Sequence, residues 1–152
     1  GTRGVDAEPA DLMGEKNLYQ NVKMVTAFAE KSGAVVAATG KNDIVSDGRK
    51  AYWIQNGHSM MQTVTGVGCQ LSALAAAYVA ANPKHTLEAV TAAVSAIGVC
   101  GELAYERMSD LDGNASYRNY LIDAVYRLDG KKLERLARVE KVNEDGEKSN
   151  EM

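Results

Sequence analysis

The chain has 152 residues, of which 24% are charged and 45% hydrophobic, and it carries a net charge of -3. That length and balance fit one soluble domain with a core of its own. An acidic chain whose basic residues come only in pairs, as at Arg49-Lys50 and Lys131-Lys132, lacks the basic face of a nucleic-acid binder, and no run reaches the roughly 18 apolar residues needed to cross a bilayer.

Residues 1–14 are polar and loop-like, with Pro9 and Gly14. They show no signal-peptide pattern and no initiator Met, so the chain is expected to be part of something longer. Over 17–31, Leu18, Val22, Val25 and Ala29 recur at helical spacing, and Ser32-Gly33 ends that helix. The apolar run 34–38 predicts a short strand buried on both faces, hence a parallel strand in an α/β layer. Residues 43–45 and 51–54 flank the turn Ser46-Asp47-Gly48 and predict a β-hairpin. Asn56-Gly57 marks another turn. Thr65 is the expected N-cap of a helix over 66–81, with Leu71, Leu74, Ala75, Tyr78 and Val79 on one face. Leu71 to Ala81 is the nearest approach to a membrane-length stretch, and Asn82-Pro83 ends it. A helix over 86–108, apolar almost all round in its middle, is expected to be buried. A loop over 109–115 and a helix over 117–128 follow. A short helix from Lys131 precedes a polar tail, with 139–152 expected to be disordered. Only one parallel strand is read, without parallel neighbours, so the sequence has the look of half an α/β sheet.

The densest chemistry lies in Thr63-Val-Thr-Gly-Val-Gly-Cys-Gln70. Gly66 and Gly68 let backbone approach a ligand, and the helix that follows aims unpaired N–H groups at the turn. Cys69 falls in the first turn of that helix, beside the anion site. A tight turn with a buried Cys explains the same pattern about as well, since short glycine motifs are weak signals. Thr39, directly after the apolar strand, is placed where α/β sheets bind ligands. Of the two histidines, His85 is expected to be solvated, and His58 is a weak candidate to pair with Cys69 as a nucleophile. Asp47 is explained by turn chemistry. Asp110, Asp112 and Asn114 do not build a calcium loop. Cys69 and Cys100 lie too far apart for a close-spaced metal or redox motif and, as free thiols, fit a reducing, cytoplasmic setting.

Together the pieces resemble the carboxyl-terminal part of the hydroxyethylthiazole kinases, a ribokinase-like family with a three-layer α/β fold. The resemblance runs in order through Gly4-Val5-Asp6, Val35-Val-Ala-Ala-Thr-Gly40 with Asp43, Asn56-Gly57-His58, Val64-Thr-Gly-Val-Gly-Cys69 with Leu71-Ser72, and Gly113-Asn-Ala-Ser-Tyr117. It covers 1–138, read as the carboxyl-terminal part of one kinase domain. It implies ATP-dependent, magnesium-assisted phosphorylation of the alcohol of 4-methyl-5-(2-hydroxyethyl)thiazole. By carry-over, Thr39 contacts ATP, Gly66 the thiazole alcohol, Cys69 stands where the superfamily has its base, and Gly66, Val67, Gly68 and Cys69 form the anion hole. Homotrimers with sites between subunits are also implied. The family's amino-terminal half carries a thiazole-pocket methionine, a basic ATP contact and acidic residues near magnesium. None of these is placed in this chain, so the chain is expected to be only part of an active enzyme. The competing expectations are a degenerate fragment acting as an interaction module and a Cys69–His58 hydrolase.

Overall fold

The computed structural model describes residues 15–142, with side chains from Leu18 onward. Gly4-Val5-Asp6, the 1–14 loop and the tail from residue 143 lie outside the described residues. The chain divides into two compact units, one of residues 1–53 with 140–152, the other of 54–139.

In the first unit, α1 (Glu15–Ser32) buries Val22, Val25 and Ala29, as the helical spacing predicts. Gly33 N–H on the Ala29 carbonyl at 2.9 Å closes it. The sheet holds β1 (Val36–Ala38), β2 (Asp43–Ser46), β3 (Ala51–Ile54) and β4 (Val139–Val142), in that order. Val22 and Val25 pack with Ile44, Ala51 and Val142, flanked by Leu18, Val36, Ala38 and Trp53. Burying each such aliphatic chain is worth about 1.5–3 kcal/mol, so packing, more than propensity, holds α1 to the sheet.

The β2–β3 hairpin forms as expected. Asp47 Oδ1 accepts the Arg49 and Lys50 N–H groups, each at 2.8 Å. Fully buried Ser46 donates to Lys50 O at 2.9 Å and accepts from Gly48 N–H at 3.1 Å.

Two expectations need correction here. The run 34–38 is not a parallel strand buried on both faces. β1 is antiparallel to β2, in register Val36↔Ser46, Ala37↔Val45, Ala38↔Ile44, and its central Ala37 is exposed. It lies at one edge of the sheet and pairs, among the described residues, with β2 alone. An apolar run reports burial poorly when alanines supply it, because a small side chain is apolar without needing cover. Second, the expected tail begins with a strand. β4 takes the other sheet edge, and Val142 enters the core. Its Val-Glu-Lys-Val has two charges at its centre and no period-2 alternation, so nothing in it reads as a strand.

The second unit is helical: α2 (Val67–Ala81), α3 (Thr86–Glu106), α4 (Asn114–Arg127) and α5 (Gly130–Leu136). Most of α3 is buried, including Val94 to Gly101 without a break. It is long and apolar enough to cross a membrane by length and composition, contrary to the sequence reading, and its burial at the centre of this unit accounts for that apolarity. α4 packs on it through a cluster of Val64, Ile97, Cys100, Ala104, Tyr117, Leu121 and Ala124, and α2 meets that cluster with partly buried Val67, Leu71 and Leu74. Tyr117 OH donates to Gly101 O at 3.0 Å inside this cluster, and burial pushes the phenol up to about 12. α4 starts at Asn114, within the stretch read as loop, and α5 starts one residue before Lys131.

Candidate functional site

The glycine turn of the second unit is built by what precedes it. His58 caps a 3-10 turn, Ser59–Thr63, its Nδ1 accepting the Met60 N–H at 3.1 Å. Thr63 Oγ1 donates to Met60 O at 2.7 Å, and Asn114 Nδ2, at the start of α4, donates to Thr63 O at 3.2 Å. Val64 is sunk in the core. Leu71 and Leu74 pack against the same core from the helix side. The short exposed link between Val64 and α2 is therefore anchored at both ends.

Gly66, not Thr65, is the N-cap of α2. Its φ of 98° and ψ of 0° lie in the left-handed region, where L side chains are strained. No side chain caps the helix. The first helical bond runs from Gln70 N–H to Gly66 O at 3.0 Å, so the N–H groups of Val67, Gly68 and Cys69 have no partner within the helix. A Cβ on Gly66 or Gly68 would meet no atom within 4 Å. Cys69 is exposed. The protein thus presents three converging donors, the positive end of a 15-residue helix and a thiol at one open place. Such an arrangement suits an anion such as a terminal phosphate.

Cys100 is the contrasting thiol. It is fully buried, and burial pushes its pKa up to about 11.

His58 does not serve Cys69. With Nδ1 accepting an amide N–H, the neutral ring carries its proton on Nε2 and has no lone pair left to take a thiol proton. The ring stacks on Tyr105, centroids 3.6 Å apart. The hydrolase reading loses its base.

The segment leading to His58 is tied to α3. Glu102 Oε1 accepts the Gly57 N–H at 2.8 Å, and its Oε2 accepts Asn56 Nδ2 at 3.2 Å. Arg138 joins Glu102 in an ion pair, and its N–H donates to Asn56 Oδ1 at 2.7 Å. Burial pushes the Glu102 carboxyl up, but Arg138, Gly57 and Asn56 outweigh it and hold the group below its ordinary value. Sequence reasoning missed this knot because Arg138 and Glu102 are 36 residues apart.

Asp112 is a loop clamp. It accepts from the Ser109 N–H at 2.9 Å, the Ser109 hydroxyl at 2.8 Å and Tyr120 OH at 3.3 Å. The Ser109 bonds hold its carboxyl down at about 2. No group of three or more His, Cys, Asp or Glu suited to a metal is present among the described residues.

Thr39 belongs to the first unit. It is exposed, in the connection between β1 and β2, where Gly40 N–H donates to Asp43 Oδ1 at 2.8 Å. Burial raises the Asp43 carboxyl to about 6, against the opposing effect of the Gly40 bond.

A sequence profile of the hydroxyethylthiazole kinase family matches residues 1–131. Hydroxyethylthiazole kinase of Clostridium acetobutylicum is 50% identical over 139 residues, covering 91% of this chain and 51% of the relative. Hydroxyethylthiazole kinase 2 of Clostridium botulinum is 36% identical over 126 residues, covering 83% and 45%. The solved hydroxyethylthiazole kinase protein of Pyrococcus horikoshii shares 33% identity at a TM-score of 0.76, covering 85% of this chain and 49% of that one. The chain spans about half the length of the curated relatives it matches.

Proposed function

This chain belongs to the hydroxyethylthiazole kinase family, and from that premise we propose that it supplies the phosphate-holding part of an ATP-dependent kinase acting on the alcohol of hydroxyethylthiazole in thiamine salvage. The observation that carries the reading is the start of α2, where unpaired amides meet open space around Gly66 and Gly68.

Phosphoryl transfer needs little covalent help from a protein. Positioning and charge stabilisation do most of the work. The N–H groups of Val67, Gly68 and Cys69 face the equatorial oxygens of the transferring group, where negative charge is spread in a loose transition state. Gly66 leaves room for the alcohol to lie against the backbone. Cys69 Sγ, in its thiolate form, takes the alcohol's proton late in the step and is left as a thiol, and Thr39 contacts ATP. Magnesium would come with ATP and offset charge on its phosphates, and by family resemblance the acidic residues near it would belong to the amino-terminal half of the enzyme. The small molecule is the partner in this reading, in a cytoplasmic homotrimer by family resemblance, with no role for nucleic acid or membrane.

Binding is the direct test. Adding ATP to the chain is expected to shift the backbone amide resonances of Val67, Gly68 and Cys69 more than those of α4 or α5. Uniform or absent shifts would reject the phosphate turn. In the kinase that contains this chain, Cys69→Ala is expected to lower turnover about 10²–10⁴-fold, the usual worth of a positioned acid or base, without abolishing it. A trapped phosphocysteine with complete loss in the variant would replace base catalysis by a covalent route.

A further inference from the structure

The connection between β1 and β2 is short and carries little packing. Its register ends at Ala38↔Ile44, so Thr39 and Asp43 are the next opposed positions, with only Gly40, Lys41 and Asn42 between them. Thr39, Gly40 and Lys41 are all exposed, and a Cβ on Gly40 would touch nothing within 4 Å. Apolar contact therefore does not hold this connection in shape. One hydrogen bond is seen inside it among the described residues, from Gly40 N–H to Asp43 Oδ1 at 2.8 Å.

We infer that Asp43 is a positioning residue for the nucleotide: by accepting the Gly40 N–H, its carboxylate fixes the bend that presents Thr39 to ATP. The inference rests on the reading of Thr39 given above. A carboxylate accepting an amide N–H makes a shorter and stronger bond than a neutral acceptor, and a chain of five residues has many other shapes to reject. The carboxylate is held where burial opposes its charge. A group kept ionised against that opposition is more often found at functional sites than in ordinary turns. Asp47 in the β2–β3 turn is the internal comparison. It makes the same type of bond to Arg49 and Lys50, yet its carboxyl is lowered, because those N–H groups and the Lys50 charge outweigh its slight burial.

The test uses the whole chain with ATP as the probe and reads three things: hydrogen exchange of the Gly40 amide without ATP, the dissociation constant for ATP, and the amide resonances that ATP shifts. In Asp43→Ala, Gly40 exchange is expected to speed up about tenfold or more, and ATP to bind about tenfold more weakly. Asp43→Asn keeps an acceptor of the same shape and is expected to stay within about threefold in both. A helical circular dichroism spectrum checks that each variant is folded, and should the alanine variant unfold, Asp43→Leu, which also lacks an acceptor but refills the half-buried position, carries the test with the same expected outcomes. Faster Gly40 exchange with unchanged ATP affinity in Asp43→Ala reduces Asp43 to a structural tether and overturns the inference, while the kinase reading stands. ATP shifts at Val67 to Cys69 with none at Thr39 overturn it too, because Thr39 then makes no nucleotide contact. No ATP binding at all removes both the inference and the phosphate-turn reading.

Discussion

The start of α2 and the middle of α3 both depend on glycine, in opposite ways. At Gly98 a Cβ would lie 2.8 Å from the Asn56 backbone, so the protein itself fills the space that the missing side chain leaves. At Gly66 and Gly68 nothing beyond the chain neighbours and the helix's own backbone comes within 4 Å of that position. The first kind of glycine permits close packing. The second is not demanded by packing: Gly113 and Gly130, also at helix starts, are just as open, Gly66 is favoured by its left-handed φ, and the proposed phosphate site would give the openness at α2 a use. Sequence marks the Gly66-Val-Gly68 pair as a turn, but it does not show that Gly98 faces the Asn56 backbone, a contact made 42 residues away.

The largest effect expected from this contrast is at α3. Gly98→Ala is expected to destabilise the chain by about 1–3 kcal/mol, the usual cost of overpacking, read as a lower urea midpoint. An unchanged midpoint would break the comparison. Tyr117→Phe comes next. It removes the buried bond to Gly101 O and leaves that carbonyl without this donor, an expected loss of about 1 kcal/mol in the same measurement. Gly68→Ala goes the other way. Its backbone is helical and its Cβ is free of contacts, so unfolding stability is expected to hold or rise by up to about 1 kcal/mol, while ATP binding weakens. Loss of stability there would mean that the turn is packed after all.

The smallest effects sharpen the contrast without substitution. A thiol reagent is expected to label exposed Cys69 in the native chain and buried Cys100 only after unfolding, as mass spectrometry of the labelled peptides would show. Acid separates the regions too. Because the folded Glu102 pKa is depressed, its stabilising contribution is complete above its ordinary 4.5 and is lost as pH falls through the lower folded value. The Asn56 and Gly57 resonances are expected to move in that acid window. Those of Val67 to Cys69 are expected to stay put.

Helices were legible because their evidence is local. The spacing of Val22, Val25 and Ala29, and the largely apolar middle of α3, broken only by Thr91 and Ser95, are set by neighbours three and four residues away. The turn at Gly66 was legible for the same reason, since a left-handed glycine and the helix start behind it adjoin in the chain. The Thr65 cap failed because a hydroxyl before a helix is only a candidate, and Gly66 takes the cap position by its backbone conformation alone.

The amino-acid sequence by itself determined where helices form and that open amides and a thiol share one helix start. Tertiary structure alone decided the direction of β1, the existence of β4, the Glu102–Arg138 knot and the engagement of His58 with Met60 and Tyr105. Strand pairing and charge pairing join residues distant in the chain, and no periodicity within a strand says which partner it meets or in which direction.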